Sequence, residues 1–185
     1  TLGKGLSVRL KHRSGCVPRV LNPEVIQPIP GFQLVSFDAA PTGEVSWVTV
    51  DEHGRMPFVL QQFKWGKWVD VVRLDGRGGP DERAYSTVIQ PIQGENLLRL
   101  THLAPDGTLE VKGEAMFEGD VPEVTMTYNA RNEVVSFSKS TQYEFVDGFG
   151  TVVLRGVGNQ ATLRYLSRGD YFVNFGAGTE VLKKR

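Results

Sequence analysis

The chain has one cysteine, Cys16, in 185 residues, and a single thiol excludes an internal disulfide. Its surroundings, Arg13-Ser14-Gly15-Cys16, lack the apolar run of a lipid-attachment signal, so a small, partly buried thiol is the expectation. Long hydrophobic runs are also missing. No window approaches the ~18 apolar residues of a membrane span, and none shows a convincing helical period. The chain starts at Thr1 rather than Met, which leads us to expect that an upstream segment was removed. Net charge is absent too: 21 basic and 21 acidic side chains cancel. No global field favours nucleic acid or a membrane surface.

Histidine is scarce. His12, His53 and His102 stand far apart, without the spacing of metal ligands. Neither a G-x-S-x-G nucleophile elbow nor a phosphate-binding G-x-x-x-x-G-K-[ST] loop is present. Gly76-Arg77-Gly78-Gly79 is glycine-rich, but no helix pattern follows it, so it reads as a hairpin loop. Two carboxylate groupings remain. Asp51, Glu52 and His53 follow a strand and suit cation binding or acid–base work, but a polar turn capped by Gly54 is favoured. Asp75, Asp81 and Glu82 flank a glycine loop and offer oxygens to calcium, though not at EF-hand spacing. No enzyme, cofactor or metal site is expected.

The chain is instead full of short strands. Residues 1–30 carry Pro18, Pro23, Pro28 and Pro30, and are expected to form an extended basic arm, with one strand near Gly5–Lys11. From Phe32 the pattern is regular. Strands are expected at Phe32–Phe37, Glu44–Val50, Phe58–Phe63, Trp68–Leu74, Ala84–Val88, Asn96–Thr101 and Leu109–Val111. Val45 and Trp47 share one face, Trp65-Gly66-Lys67 makes a hairpin turn, and Asp106-Gly107 makes another. Glu118-Gly119-Asp120-Val121-Pro122 reads as a boundary. Short strands resume at Val124–Tyr128, Val134–Phe137, Tyr143–Val146, Val152–Leu154, Thr162–Tyr165, Tyr171–Val173 and near Val181. The fold class is therefore all-β. Two consecutive small β-sandwiches of immunoglobulin or fibronectin III type, at 31–118 and 120–185, follow an extended arm at 1–30. The second is small enough that it should pack on the first or on a partner.

Two resemblances follow from these residues. Leu34 and Phe37, then Trp47, Thr49 and Glu52, then Tyr85, Arg99, Leu100, Asp106 and Gly107 form an ordered series over about residues 32–115. The series resembles the fibronectin type III-like domains that precede sorting domains in Bacteroidota surface proteins. Leu97 and Leu98 stand where that pattern has a tyrosine pair, and the resemblance implies that Trp68 packs inward. Asp147, Gly150 and Val153, then Leu166, Gly169, Tyr171 and Val173, then Lys183 and Lys184 resemble the C-terminal sorting domains of the type IX secretion system. Tyr128-Asn129-Ala130-Arg131 replaces the Tyr-Pro-Asn-Pro-like opening of those domains, which leaves open whether the module is cleaved or retained.

The second resemblance implies an exported protein of the cell surface, the outer-membrane periphery or the medium, without catalysis of its own. Its C-terminal module would be recognised by protein partners: the export machinery or an envelope complex. Gly169, Tyr171, Val173, Lys183 and Lys184 would form the binding surface, and an open edge strand there suits β-augmentation. The alternative is a carbohydrate-binding or adhesion module using exposed aromatics near Trp65, with Lys64 and Lys67, in the one aromatic–basic cluster in the chain, Phe63, Lys64, Trp65, Lys67 and Trp68. A third possibility is a subunit of a larger envelope assembly. There the proline-rich basic arm would lie across a neighbour. The arm, with five Lys or Arg and no acid from Thr1 to Pro23, is also suited to attract the acidic stretch Asp106–Glu123, within or between chains, but a solvated tail and a solvated sheet face are favoured. No nucleic acid and no membrane span is expected.

Overall fold

The computed structural model describes residues 31–53, 57–104 and 107–185. The expected arm at 1–30, its strand, Cys16 and Asp106 lie outside the described residues. Twelve strands, and no helix, make up the regular structure of the described residues.

Strands β1 (Gly31–Ala39), β2 (Glu44–His53) and β5 (Arg83–Val88) form one antiparallel sheet in the order β1-β2-β5. Strands β3 (Pro57–Lys64), β4 (Lys67–Asp75), β6 (Gly94–Leu103) and β7 (Leu109–Gly119) form a second, in the order β4-β3-β6-β7. A three-on-four sandwich with these crossovers has the fibronectin type III-like arrangement. Period-two alternation fills its core. Val45 and Trp47 from β2, Phe58 and Leu60 from β3, and Leu98 and Leu100 from β6 all point inward and are buried. Trp47 stacks on Tyr85 with ring centroids 5.4 Å apart, and Phe58 meets both edge-on.

The remaining strands are β8 (Met126–Asn129), β9 (Val134–Val146), β10 (Val152–Thr162), β11 (Gly169–Phe175) and β12 (Gly178–Lys184). They pair as β10-β9-β11-β12, with β8 on the first part of β9. One long strand stands at β9 where two were expected, and another at β10. The cause is an irregularity that bends the ladder. Gly158 pairs with Thr141, but Gln160 already pairs with Ser136, so polar residues 138–140 interrupt the apolar pattern at a bulge, not at a strand end. The bend lets both halves of the ladder enclose Val135, Phe137, Phe145, Leu163, Tyr171, Val173 and Leu182.

Strand β7 is also much longer than expected. It runs through the acidic stretch to Gly119, because Glu114 and Glu118 face solvent while Phe117 turns into the core. Gly119 itself closes the strand against the backbone: a Cβ there would lie 2.2 Å from the Ile92 carbonyl oxygen. Asp120–Thr125 then lead without regular structure to β8.

Candidate functional site

The aromatic–basic cluster around Trp65 sits at a two-residue hairpin tip. Lys64 and Lys67 pair across it, and Trp65 and Gly66 both have positive φ, 57° and 72°. Two successive left-handed residues make a type I′ turn, which usually takes Asn, Asp or Gly. A tryptophan there carries backbone strain on the order of 1 kcal/mol or more. In this turn the ring lies against a second hairpin tip, between β11 and β12. The Trp65 indole donates to the Gly176 carbonyl over 3.1 Å. Lys64 and Lys67 stand over the ring, their ammonium groups 4.8 and 6.0 Å from its centre. Trp65 is therefore half-buried and engaged within the chain, and does not present a bare ring for stacking a sugar.

Further contacts close this seam. Lys67 forms an ion pair with Glu144 on β9 over 2.5 Å. The Gln90 amide donates to the Ser140 carbonyl, and Gly176 N–H donates to Thr141 Oγ1 over 3.3 Å. A cavity of about 20 Å³ lies in the seam, lined among others by Lys64, Pro91, Pro122, Val124, Thr141 and Gly176. Burial drives the Lys64 ammonium down from 10.5 to about 8, while the Glu144 carboxylate opposes that shift.

The motif residues of the C-terminal resemblance separate into two groups. Tyr171 and Val173 are core residues, and the Tyr171 hydroxyl donates to the Ser167 carbonyl over 2.7 Å. Lys184 is buried as well. Its ammonium donates to the Leu163 and Leu166 carbonyls and pairs with Glu133 over 3.0 Å. These three shape the sheet from within. Gly169 and Lys183 are exposed, and β12 is a sheet edge. Asp147 and Gly150 build the β9–β10 turn, whose carboxylate accepts from Phe149 N–H and Thr151 N–H.

The carboxylate groupings do not converge on a reactive centre. Glu52 turns inward and is 3% exposed. Its carboxylate accepts from Thr49 Oγ1, from the Tyr85 hydroxyl over 2.7 Å and from Gly78 N–H over 2.7 Å. This pins the glycine loop, so Glu52 acts as a structural anchor. Asp51 and His53 face solvent, with His53 Nδ1 against the Asp51 carbonyl at 2.8 Å. Among the described residues no group of three His, Cys, Asp or Glu is close enough to hold a metal, and no helix is long and apolar enough to cross a membrane.

Trp68 departs from the inward packing its resemblance implies. Val69 takes the core side, and Trp68 lies on the outer face opposite Phe63, with ring centroids 5.3 Å apart. The Arg99 guanidinium lies 4.3 Å above it and is oriented by a bond to Gln61, which donates in turn to Asp70. Burial works to raise the Asp70 pKa, but bonds from Gln61 and Arg73 and the charges of Arg73 and Arg99 hold it below its ordinary value. Sequence reasoning grouped Phe63 and Trp68 with Trp65 but missed their row with Arg99, because alternation alone does not say which face of a strand meets the core.

No family model matches the chain, and no curated protein matches it in sequence. Among solved structures, it is similar to the chicken CNTN1 FN1–FN3 domains at 10% identity and a TM-score of 0.31. The match covers 86% of this chain and 67% of that one. The fibronectin type III-like assignment of the first sandwich rests on its own strand order.

Proposed function

We propose that this chain is a non-catalytic protein of a bacterial cell envelope or surface, built as a structural and protein-interaction module. Its C-terminal unit, residues 120–185, serves as a sorting module of the type IX kind, and residues 31–118 form the domain it carries. One observation supports this reading above others. The residues of the C-terminal resemblance fall within a single sheet that has its own core: Leu166, Tyr171 and Val173 pack inside, Asp147 and Gly150 form its turn, and Lys183 lies on its edge strand.

The test is export. The full chain, placed behind an export signal, is expressed in a Bacteroidota host with intact or disabled type IX machinery. Appearance at the surface only with intact machinery is the expected result, and equal export in both hosts rejects the sorting role. The intact mass of the surface form then separates two outcomes. A mass ending near residue 120 means a removed signal, and a mass reaching Arg185 means a retained adaptor.

A further inference from the structure

His102 is 1% exposed on the inner face of β6, and neither of its ring nitrogens, Nδ1 or Nε2, has a hydrogen-bond partner among the described residues. Buried polar atoms are nearly always bonded, because an unpaired one forfeits its bonds to water. Here the ring is packed as an aromatic. Phe32 of β1 meets it edge-on with ring centroids 5.9 Å apart, and meets Phe58 of β3 the same way at 5.1 Å. Phe58 is also the cross-strand partner of His102. The imidazole therefore closes one end of the first sandwich, between the start of β1 on one sheet and β3, β6 and β7 on the other.

The charged groups around it give no bonded partner to a protonated ring. β7 supplies Glu110, the cross-strand partner of His102, and Lys112. The Glu110 carboxylate pairs with the Lys112 ammonium over 2.7 Å, and that ammonium stands 5.7 Å from the centre of the Phe32 ring. β1 and β3 present only Phe32 and Phe58 to the imidazole. β2 brings Asp51 and His53 near the start of β1, where His53 pairs with Gly31, and both face solvent. Burial and the Lys112 charge lower the His102 pKa from its ordinary 6.5, and Glu110 opposes them without cancelling them.

We propose that His102 is an acid-sensitive latch. Neutral, it seats Phe32 and keeps the start of β1 on the sandwich; protonated, it releases that end. An imidazolium here is a buried charge beside the like charge of Lys112, and opening towards water relieves both costs. The close fit of β1 on β7 lies next to the ring: a Cβ at Gly113 would meet Leu34 at 2.6 Å and Phe37 at 3.3 Å. The open form takes up the proton at the ordinary pKa and the closed form only at a lower one. Closure is therefore complete above 6.5 and weakens as pH falls below it. The C-terminal sheet has a separate core, so the opening is local to the first sandwich.

Amide exchange of the full chain at about pH 7 and about pH 5, corrected for the intrinsic rate, tests this. The amides of residues 31–34 should open roughly tenfold more at the lower pH, while those of Phe145 and Val173 in the C-terminal sheet hold steady. His102→Phe keeps an aromatic ring and should abolish the acid response, and His102→Leu should do the same. His53→Gln, at the exposed neighbour, should leave it intact. The imidazole signal of wild-type His102, followed by NMR, should stay neutral through 6.5 and protonate together with the opening, and this titration decides the matter if neither His102 variant folds. A response that survives in both variants, disappears with His53→Gln or spreads equally to Phe145 and Val173 would overturn the latch, as would a His102 that titrates at or above 6.5 with β1 still closed.

Discussion

The Trp65 indole N–H donates to the Gly176 carbonyl over 3.1 Å, joining two hairpin tips that lie 111 positions apart in the chain. Each tip has the backbone its turn requires: φ of 57° and 72° at Trp65 and Gly66, and 51° at Gly176. The strain at Trp65 and the bond it makes act in opposite directions, and substitution separates them. Trp65→Asn puts a favoured residue in the type I′ turn and removes the bond. The first sandwich should keep or gain up to about 1 kcal/mol of its own stability, while coupling to the C-terminal sheet falls. Calorimetry should show one unfolding transition becoming two. A single transition at an unchanged temperature would mean that Trp65 does not link the units.

Lys64 gives the same seam a pH dependence. Its ammonium is held at about 8 instead of 10.5 by burial, with Glu144 opposing. A lysine whose folded pKa is depressed weakens the folded state wherever it must be charged. That cost is complete below about pH 8 and is relieved as pH rises from 8 towards 10.5. Lys64→Met removes it, and should stabilise the protein at pH 7 by up to a few kcal/mol. Urea unfolding at several pH values checks the sign: wild type should gain stability relative to Lys64→Met between pH 8 and 10. A constant difference over that range would show that Lys64 does not titrate in the folded state.

Much of this architecture could be read from the residues, and the exceptions have physical causes. The inward positions Val45, Trp47, Tyr171 and Val173 announce themselves by alternation, and Gly66 and Gly150 by turn chemistry. The long β9 and β10 do not, because the ladder bends at residues 138–140, where the pairing of β9 with β10 is interrupted but the chain stays extended. The sequence reading saw Trp65, Lys64 and Lys67 as one cluster, but their partners Gly176 and Glu144 are far away in the chain.

The buried Glu52 carboxylate predicts a specific local failure. Thr49, Tyr85 and the Gly78 N–H all donate to it. Burial, and then the bond and charge of Glu52, raise the Tyr85 phenol above its ordinary pKa against the Arg77 N–H and charge. Glu52→Gln replaces one acceptor oxygen with a donor and leaves a buried N–H facing another. The expected cost is about 1–3 kcal/mol, accompanied by faster amide exchange at Gly78 and Gly79, whose N–H groups bond to Glu52. Exchange at those two amides that matches wild type would show that the loop is held by other contacts.

Gly119 marks where the first sandwich closes. Added to its backbone, a Cβ would lie 2.2 Å from the Ile92 carbonyl oxygen and 2.7 Å from the Asn96 amide nitrogen. The Asn96 side chain is already committed: it donates to the Ile92 and Gly94 carbonyls and accepts from Ile92 N–H and from Gln62. No flexible side chain is available to yield, so Gly119→Ala must displace backbone. Overpacking of this kind costs typically 1–3 kcal/mol, and the loss should fall on the first sandwich. Gly178→Ala is the matched control, because a Cβ there meets nothing within 4 Å and lies beyond the seam residue Gly176. If both substitutions lower the unfolding temperature equally, the close approach at Gly119 is not what fixes the end of β7.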